Sequence, residues 1–393
     1  MSTAMPARGS AAGGDERPAA GHPTLQPVRS RTQLDTFVRC AWPIYSNDPH
    51  WVPPLISDMK AALNRDRHPF HEHADVELFT AHRDGRVAGR IAAIVNRNHN
   101  QFHDDRVGFF GLFESIDDPD VATALLSGAE AWLKERGMDT CRGPMNLSTN
   151  DELWGPGILI DGFDSPPAIM MGHNPPYYRA LFVGAGYDRS RDLLTYWIDT
   201  SRQTRIERSA DRLLRRGGFT IRSLDMRKLN EEVATIQAIY NSAWERNWGF
   251  VPMTEEEILH RAAALRPVVN PDLCALAFVG DEPVGFALAL PDYNQALRHI
   301  NGRLFPFGLL KLLWFRRKID AARTLTLGVK PEHRGSGLDA LLILHLFRMA
   351  SVAGMPRGEC SWILEDNMPM RHTLERFGAV LRKTYRVYEK PLP

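Results

Sequence analysis

Cysteine is sparse in this chain, long apolar runs are absent, and charge of neither sign prevails. The four cysteines (Cys40, Cys141, Cys274, Cys360) lack metal-ligand and disulfide-framework spacing, and read as reduced, mostly buried thiols of a cytoplasmic protein. No run of about 18 uninterrupted apolar residues occurs, so a membrane-spanning helix is not expected. With 48 Lys and Arg against 47 Asp and Glu, the formal net charge of +1 gives no support to nucleic-acid binding. Metal-ligand patterns are also missing. His68, His71 and His73 stand close together, but Pro69 breaks any helical face and no cysteine or carboxylate set completes them. His99 and His103, four apart among asparagines, read no better as a metal site. Residues 1–26, rich in Ala, Gly and Pro, lack the apolar centre of a signal peptide and read as a disordered tail.

What the chain does contain is the composition of a soluble globular protein, 44% hydrophobic and 24% charged, with room for two or three domains in 393 residues. Its most informative stretch runs from Leu325 to Asp339. An apolar strand (324–329) leads through Pro331 into a glycine-rich loop. A helix follows, with Leu338, Leu341, Leu342, Leu346 and Met349 on one stripe. Such a loop aims backbone N–H groups and the positive end of the helix dipole at one place, which suits a phosphate or pyrophosphate. Gly335 and Gly337 let that backbone approach closely.

The order Val-x-Pro-x-x-Arg-Gly-x-Gly resembles the acyl-CoA-binding motif of the Gcn5-related N-acyltransferase superfamily. Arg334 and Gly337 fill its first two key positions, and Asp339 stands where the family has Gly or Ala. The resemblance implies that Leu327, Gly328, Val329, Arg334, Gly335, Ser336, Gly337, Leu338 and Asp339 hold acyl-CoA. Asn367, opening the next helix, implies one more contact. It also implies that a backbone N–H of Leu327 or Gly328 polarises the thioester. The family's late-helix tyrosine is replaced here by Leu374. Glu365 and His372 are then the candidates for base work, with Tyr385 as acid, beside plainer readings as surface charges or a strand-face aromatic.

The expected fold class is α/β, as two tandem domains of this family, each a mixed, mostly antiparallel sheet flanked by helices. Residues 27–200 form a first, degenerate copy and 201–393 the acyl-CoA-binding one. In the second block, helices are expected at 233–248, 255–265 and 368–377, with strands at 274–279, 284–290, 358–364 and 381–389. In the first, a hairpin (77–94) turns at Asp84-Gly85, and a strand (107–113) and helix (121–136) follow. The loop between those two, Phe113 to Asp120, is acidic where the second copy has glycine, and should repel a pyrophosphate.

Three segments bear on the substrate. Trp244, Asn247, Trp248 and Phe250 suit an amine with hydrogen-bonding groups and an apolar tail, or plain core packing. The polar loop from Asn146 to Gly157 either reaches across to the site or is a surface connection. Between Gly302 and Lys318, ten of 17 residues are Leu, Phe, Trp or Pro, and three cations close the segment. It reads as a cover for a long acyl chain, a contact with a membrane interface (peripheral to the inner membrane), or a core helix with a basic end. Near-complete resemblance after residue 27 to a bacterial tandem group that includes ceramide synthases implies N-acylation of a long-chain amine such as a sphingoid base. Acylation of a small amine and a non-catalytic acyl-CoA sensor are the alternatives. Neither metal nor nucleic acid enters any of these readings.

Overall fold

In this computed structural model, residues 21–150, 154–199, 218–245 and 247–393 are described. The charged segment 202–216, whose sequence favours a helix, falls outside them. Thirteen strands make one continuous sheet. The first half supplies β1 (Thr24–Pro27), β2 (Ala74–Arg83), β3 (Arg86–Asn96), β4 (Val107–Ser115), β5 (Thr140–Gly143), β6 (Ile158–Asp161) and β7 (Asp188–Asp199). From the second half come β8 (Phe219–Ser223), β9 (Cys274–Val279), β10 (Glu282–Pro291), β11 (Ala321–Val329), β12 (Arg357–Leu364) and β13 (Val380–Pro391). The spatial order is β1-β2-β3-β4-β5-β13-β7-β12-β11-β10-β9-β8, with β6 beside β13. Among the described residues only β4–β5 and β11–β12 are parallel. Strand β1 begins inside the segment expected to be unstructured, pairing Thr24 with His82.

The two halves exchange their last strands. β13, from the second half, pairs with β5 of the first, and β7, from the first, pairs with β12 of the second. β7 and β13 also pair with each other, from Val380↔Trp197 to Glu389↔Asp188.

Helices of seven residues or more are numbered α1 (Arg31–Arg39), α2 (Ile56–Ala62), α3 (Arg97–His103), α4 (Pro119–Lys134), α5 (Tyr178–Gly184), α6 (Leu229–Trp244), α7 (Glu255–Leu265), α8 (Gly308–Phe315), α9 (Leu338–Val352) and α10 (Met368–Arg376). Local sequence fixes their starts. Ser30 and Thr254 form capping boxes with Gln33 and Glu257, and Asn96, Asp118 and Asn367 cap α3, α4 and α10. α9 buries Leu338, Leu341, Leu342 and Leu346 against one face of the second-half sheet. The opposite face, with Leu276 and Phe286, takes Ile239 and Trp244 of α6. Each such buried apolar side chain contributes roughly 1.5–3 kcal/mol.

α6 stops at Trp244, four residues before the end expected from periodicity. Asn247 N–H turns back to the Trp244 carbonyl (2.7 Å), and Gly249 takes a φ of 71° that side chains resist. Asn241 Oδ1 then accepts from the Met253 amide (3.1 Å), drawing the returning segment onto α6.

Candidate active site

β11 and β12 run side by side only from Ala321↔Arg357 to Thr324↔Cys360, and then diverge. Both strands break register at that point. Leu325 bulges from the β10–β11 ladder, and Ser361–Trp362 from the β12–β7 ladder. A bulge adds twist and turns one strand from its neighbour. Alternate backbone N–H groups of 325–329 consequently face a gap with no strand across it.

An apolar cavity of about 260 Å³ occupies this gap and extends under α6 and α7. Leu229, Val233 and Ile236 of α6 and Ile258, Ala262 and Leu265 of α7 wall one side. Phe286, Leu288 and Thr326 form its sheet floor, while Ile343, Met370 and Leu374 approach from α9 and α10. The cavity thus joins both faces of the sheet through the splay. Trp244, Asn247, Trp248 and Phe250, the expected acceptor residues, all line it, as do Leu327 and Asn367. Trp244 lies against Tyr240 (4.8 Å between centroids) and Phe286 (5.7 Å). Leu374 is 1% exposed and fills space as a leucine, without the hydroxyl that a tyrosine would bring.

The loop of 146–157 does reach across. Thr149 hydroxyl donates to the Gly249 carbonyl (2.9 Å), Asn150 Nδ2 to the Val251 carbonyl (3.1 Å), and Tyr240 hydroxyl to Asn150 Oδ1 (2.9 Å). Residues 151–153 fall outside the described residues.

At the far end of β11, Pro331–His333 makes a 3-10 turn into Arg334, Gly335 and Ser336. Gly335 and Gly337 have φ of 74° and 82°, and Gly337 caps α9 without a side chain. The first-turn amides of α9 lack intrahelical acceptors, as at any helix start, so the loop fits a pyrophosphate. Arg334 donates to the Ala243 carbonyl (2.5 Å), tying the loop to α6. Asp339 sits half-buried in the first turn of α9, where the dipole favours a carboxylate, and no capping bond from it forms. In the first half the corresponding place, before α4, is filled. Asp118 accepts from the Asp120 (2.9 Å) and Val121 (3.3 Å) amides with its own carboxylate.

None of the expected proton-transfer residues lines the apolar cavity. His372 is exposed on α10, whereas Met370 and Leu374 of the same helix line the cavity. Glu365 pairs with Arg189 and accepts from the Asp192 amide (3.1 Å). Tyr385 is 1% exposed and gives its hydroxyl to the Gly172 carbonyl (2.9 Å). Burial holds that phenol well above its ordinary range. Burial likewise pushes the Cys274 and Cys360 thiols of the cavity wall up to about 12, so neither supplies a thiolate.

A polar cavity of about 410 Å³ adjoins the apolar one at Asn247 and Trp248. His99, His103, Asp105, Glu245 and Asp366 line it together with Arg142 and Arg191. His103 Nε2 stands 2.8 Å from the Phe250 carbonyl, which only accepts, so in the neutral imidazole Nε2 carries the hydrogen and Nδ1 the lone pair. His99, at 4.3 Å between centroids, is pushed down to about 3 by burial and by His103, and stays neutral. Asp366 pairs with Arg191 (2.5 Å). The spacing of His99 and His103 suggested only a weak metal pair. Their relation to Phe250 comes from folding alone. Among the described residues no group of three metal-ligating side chains occurs; His73, for one, binds Glu257 across the halves (2.9 Å).

A third cavity, about 540 Å³, lies between the halves. It is walled by Trp51, Pro54 and Leu55 of the first half and by Leu297 of the second. Arg261 and Leu265 of α7 line both it and the apolar cavity.

The segment of 302–318 does not cover the apolar cavity, and no residue of it lines those walls. Nor is it a core helix, since only Gly308 of α8 is buried.

Residues 233–379 match the model of the Acetyltransferase (GNAT) family. Over 377 residues the chain is 38% identical to a protein named bacterial ceramide synthase from Caulobacter vibrioides (strain NA1000 / CB15N), covering 93% of this chain and 97% of that one. It is 35% identical over 373 residues to Protein YghO of Escherichia coli K12, covering 92% and 94%. Among solved structures, a tandem GNAT protein from the clavulanic acid biosynthesis pathway matches with a TM-score of 0.57 at 13% identity, over 94% of this chain and 99% of that one. A GCN5-related N-acetyltransferase from Sphaerobacter thermophilus matches with a TM-score of 0.54 at 14% identity, over 94% and 96%. At those identities the two structures speak for the fold alone. With 38% identity over nearly the whole chain to that synthase, and with the splayed strands and glycine loop in place, the chain belongs to the GNAT family of N-acyltransferases, in the tandem group that includes a bacterial ceramide synthase.

Proposed function

We propose that this N-acyltransferase takes a long-chain acyl-CoA and acylates an amine that itself carries an apolar chain, such as a sphingoid base. The observation that carries the reading is the apolar cavity opening on the splay between β11 and β12. An acetyl group would touch only its mouth. A long chain buries methylenes along Leu229, Val233, Ile236 and Leu265, each worth about 0.8 kcal/mol. Identity of 38% with a protein named bacterial ceramide synthase supports the same acceptor class.

In this reading the pyrophosphate sits on the Arg334–Asp339 loop and the pantetheine arm runs along the gap past Asn367. The thioester oxygen accepts a hydrogen bond from the free edge of β11, at Leu327 or a neighbour, which stabilises the developing oxyanion. The neutral amine attacks the carbonyl carbon, the N–C bond forms, and the C–S bond breaks. The ammonium proton passes to a base and the thiolate takes up a proton. His103 is the group we assign as base: its Nδ1 lone pair is free of the Phe250 carbonyl, and its cavity meets the thioester cavity at Asn247. The carboxylate of Glu245 beside it suits a cationic amine before deprotonation, Asp366 being already paired with Arg191.

Purified protein mixed with palmitoyl-CoA and sphinganine should release free thiol faster than with acetyl-CoA. Faster turnover of short acyl-CoAs with small amines would move the acceptor to the small-molecule class. His103→Gln should lower kcat roughly 10²- to 10⁴-fold while acyl-CoA affinity and folding hold. Unchanged kcat removes His103 from the mechanism.

A further inference from the structure

Between Asp292 and Asp320 the chain has no carboxylate but six cations, Arg298, Arg303, Lys311, Arg316, Arg317 and Lys318. All six are exposed. Within ten residues of the same segment, six large apolar side chains also face outward. Phe305 is 85% exposed, Phe307 67%, Leu310 65% and Trp314 60%, with Leu309 and Leu313 beside them. Phe307, Leu310 and Trp314 stand three and four apart, which stacks them along one side of α8. The helix is held from behind. His299 stacks on Phe315 at 3.8 Å between centroids, Trp42 Nε1 donates to Asn301 Oδ1 (2.7 Å), and the Gly302 carbonyl accepts from the Ile56 amide (3.1 Å). The platform is therefore fixed to both halves while its apolar side meets solvent.

A contiguous apolar patch of this kind marks a docking surface. Charge decides between occupants. In a symmetric pair of copies the same six cations would face each other, with no carboxylate in the segment to offset them. An anionic lipid surface complements both features: aromatic side chains enter the interface, and a basic rim pairs with the headgroups. We propose that Phe305–Lys318 docks this protein on an anionic bilayer. Asn294 and Leu297, shortly before this segment, line the 540 Å³ cavity between the halves.

The full chain is tested by sedimentation with vesicles of phosphatidylcholine alone and of phosphatidylcholine with phosphatidylglycerol. Binding is expected only to the anionic vesicles, and weakens as salt is added. Leu310→Ser and Trp314→Ser should each lower that partitioning roughly tenfold. The double variant Arg316→Glu, Arg317→Glu should abolish the preference for phosphatidylglycerol. Thermal unfolding should stay unchanged in all three, because the altered side chains are exposed. Failure of the wild type to bind anionic vesicles overturns the proposal, as does equal binding by the three variants. Light scattering that shows a dimer lost in Leu310→Ser also overturns it, in favour of a second copy.

Discussion

Gly328 faces the indole of Trp244 so closely that a Cβ would stand 2.4 Å from a ring atom and 3.1 Å from the Ala243 methyl. Gly328→Ala should therefore displace Trp244 and cost about 1–3 kcal/mol as overpacking. A lower melting temperature and a raised KM for the thioester would report it, whereas unchanged values would show that the indole yields freely. Gly337 has a different constraint. Its φ of 82° strains any β-branched residue, so Gly337→Val should weaken CoA binding roughly tenfold, with the domain still folded. Unaltered affinity would contradict placement of the pyrophosphate on this loop. Asp292 offers a third test. Burial, and then the charge of Glu359, pushes its carboxyl up to about 7. The folded state then holds the proton more tightly than the unfolded chain does. That contribution is fully present below the unfolded pKa and fades as pH rises through about 7. Asp292→Asn keeps an acceptor for the Ile169 amide (2.8 Å) without the charge. Its melting temperature relative to wild type should rise between about pH 5 and about pH 8; a pH-independent difference would exclude the carboxyl. At this scale the glycine turn through Arg334 and Gly337 was legible because the motif is contiguous. His103 was not, since its cavity partners Glu245 and Asp366 lie far along the chain.

The element that shapes the candidate site is the pair of diverging strands. Their existence was readable from an apolar run and a glycine loop. Their divergence was not, because the bulges at Leu325 and at Ser361–Trp362 arise from pairing with β10 and β7, which local sequence does not encode. α6 is similar: its stripe predicted a helix, but the turn after Trp244 depends on Gly249 and on the hold of Asn241 over Met253. Because α6 walls the apolar cavity, its side chains should set chain length. Ile236→Trp should reduce kcat/KM for palmitoyl-CoA more than tenfold while sparing acetyl-CoA. Equal losses for both thioesters would mean that the cavity does not hold the acyl chain.

In the whole molecule, a boundary near residue 200 divides the sequence, yet the sheet crosses it. The tandem arrangement was legible from repeated motif order, but the exchange of β7 and β13 was not, because strand order along the chain says nothing of which half each last strand joins. A fragment of 201–393 lacks β7, the strand between β12 and β13, and should show little protection from amide exchange in β12 and β13. Protection matching that of the full chain would show that the second half folds without its neighbour. The fold brings His103 of the first half to a cavity that adjoins the apolar cavity of the second, so in the proposed reaction both halves contribute. The most direct check on that reaction is the rate of free-thiol release with a long-chain amine acceptor, compared between palmitoyl-CoA and acetyl-CoA. Release that needs the amine and is faster for palmitoyl-CoA is the predicted result; equal or faster release from acetyl-CoA would contradict the account.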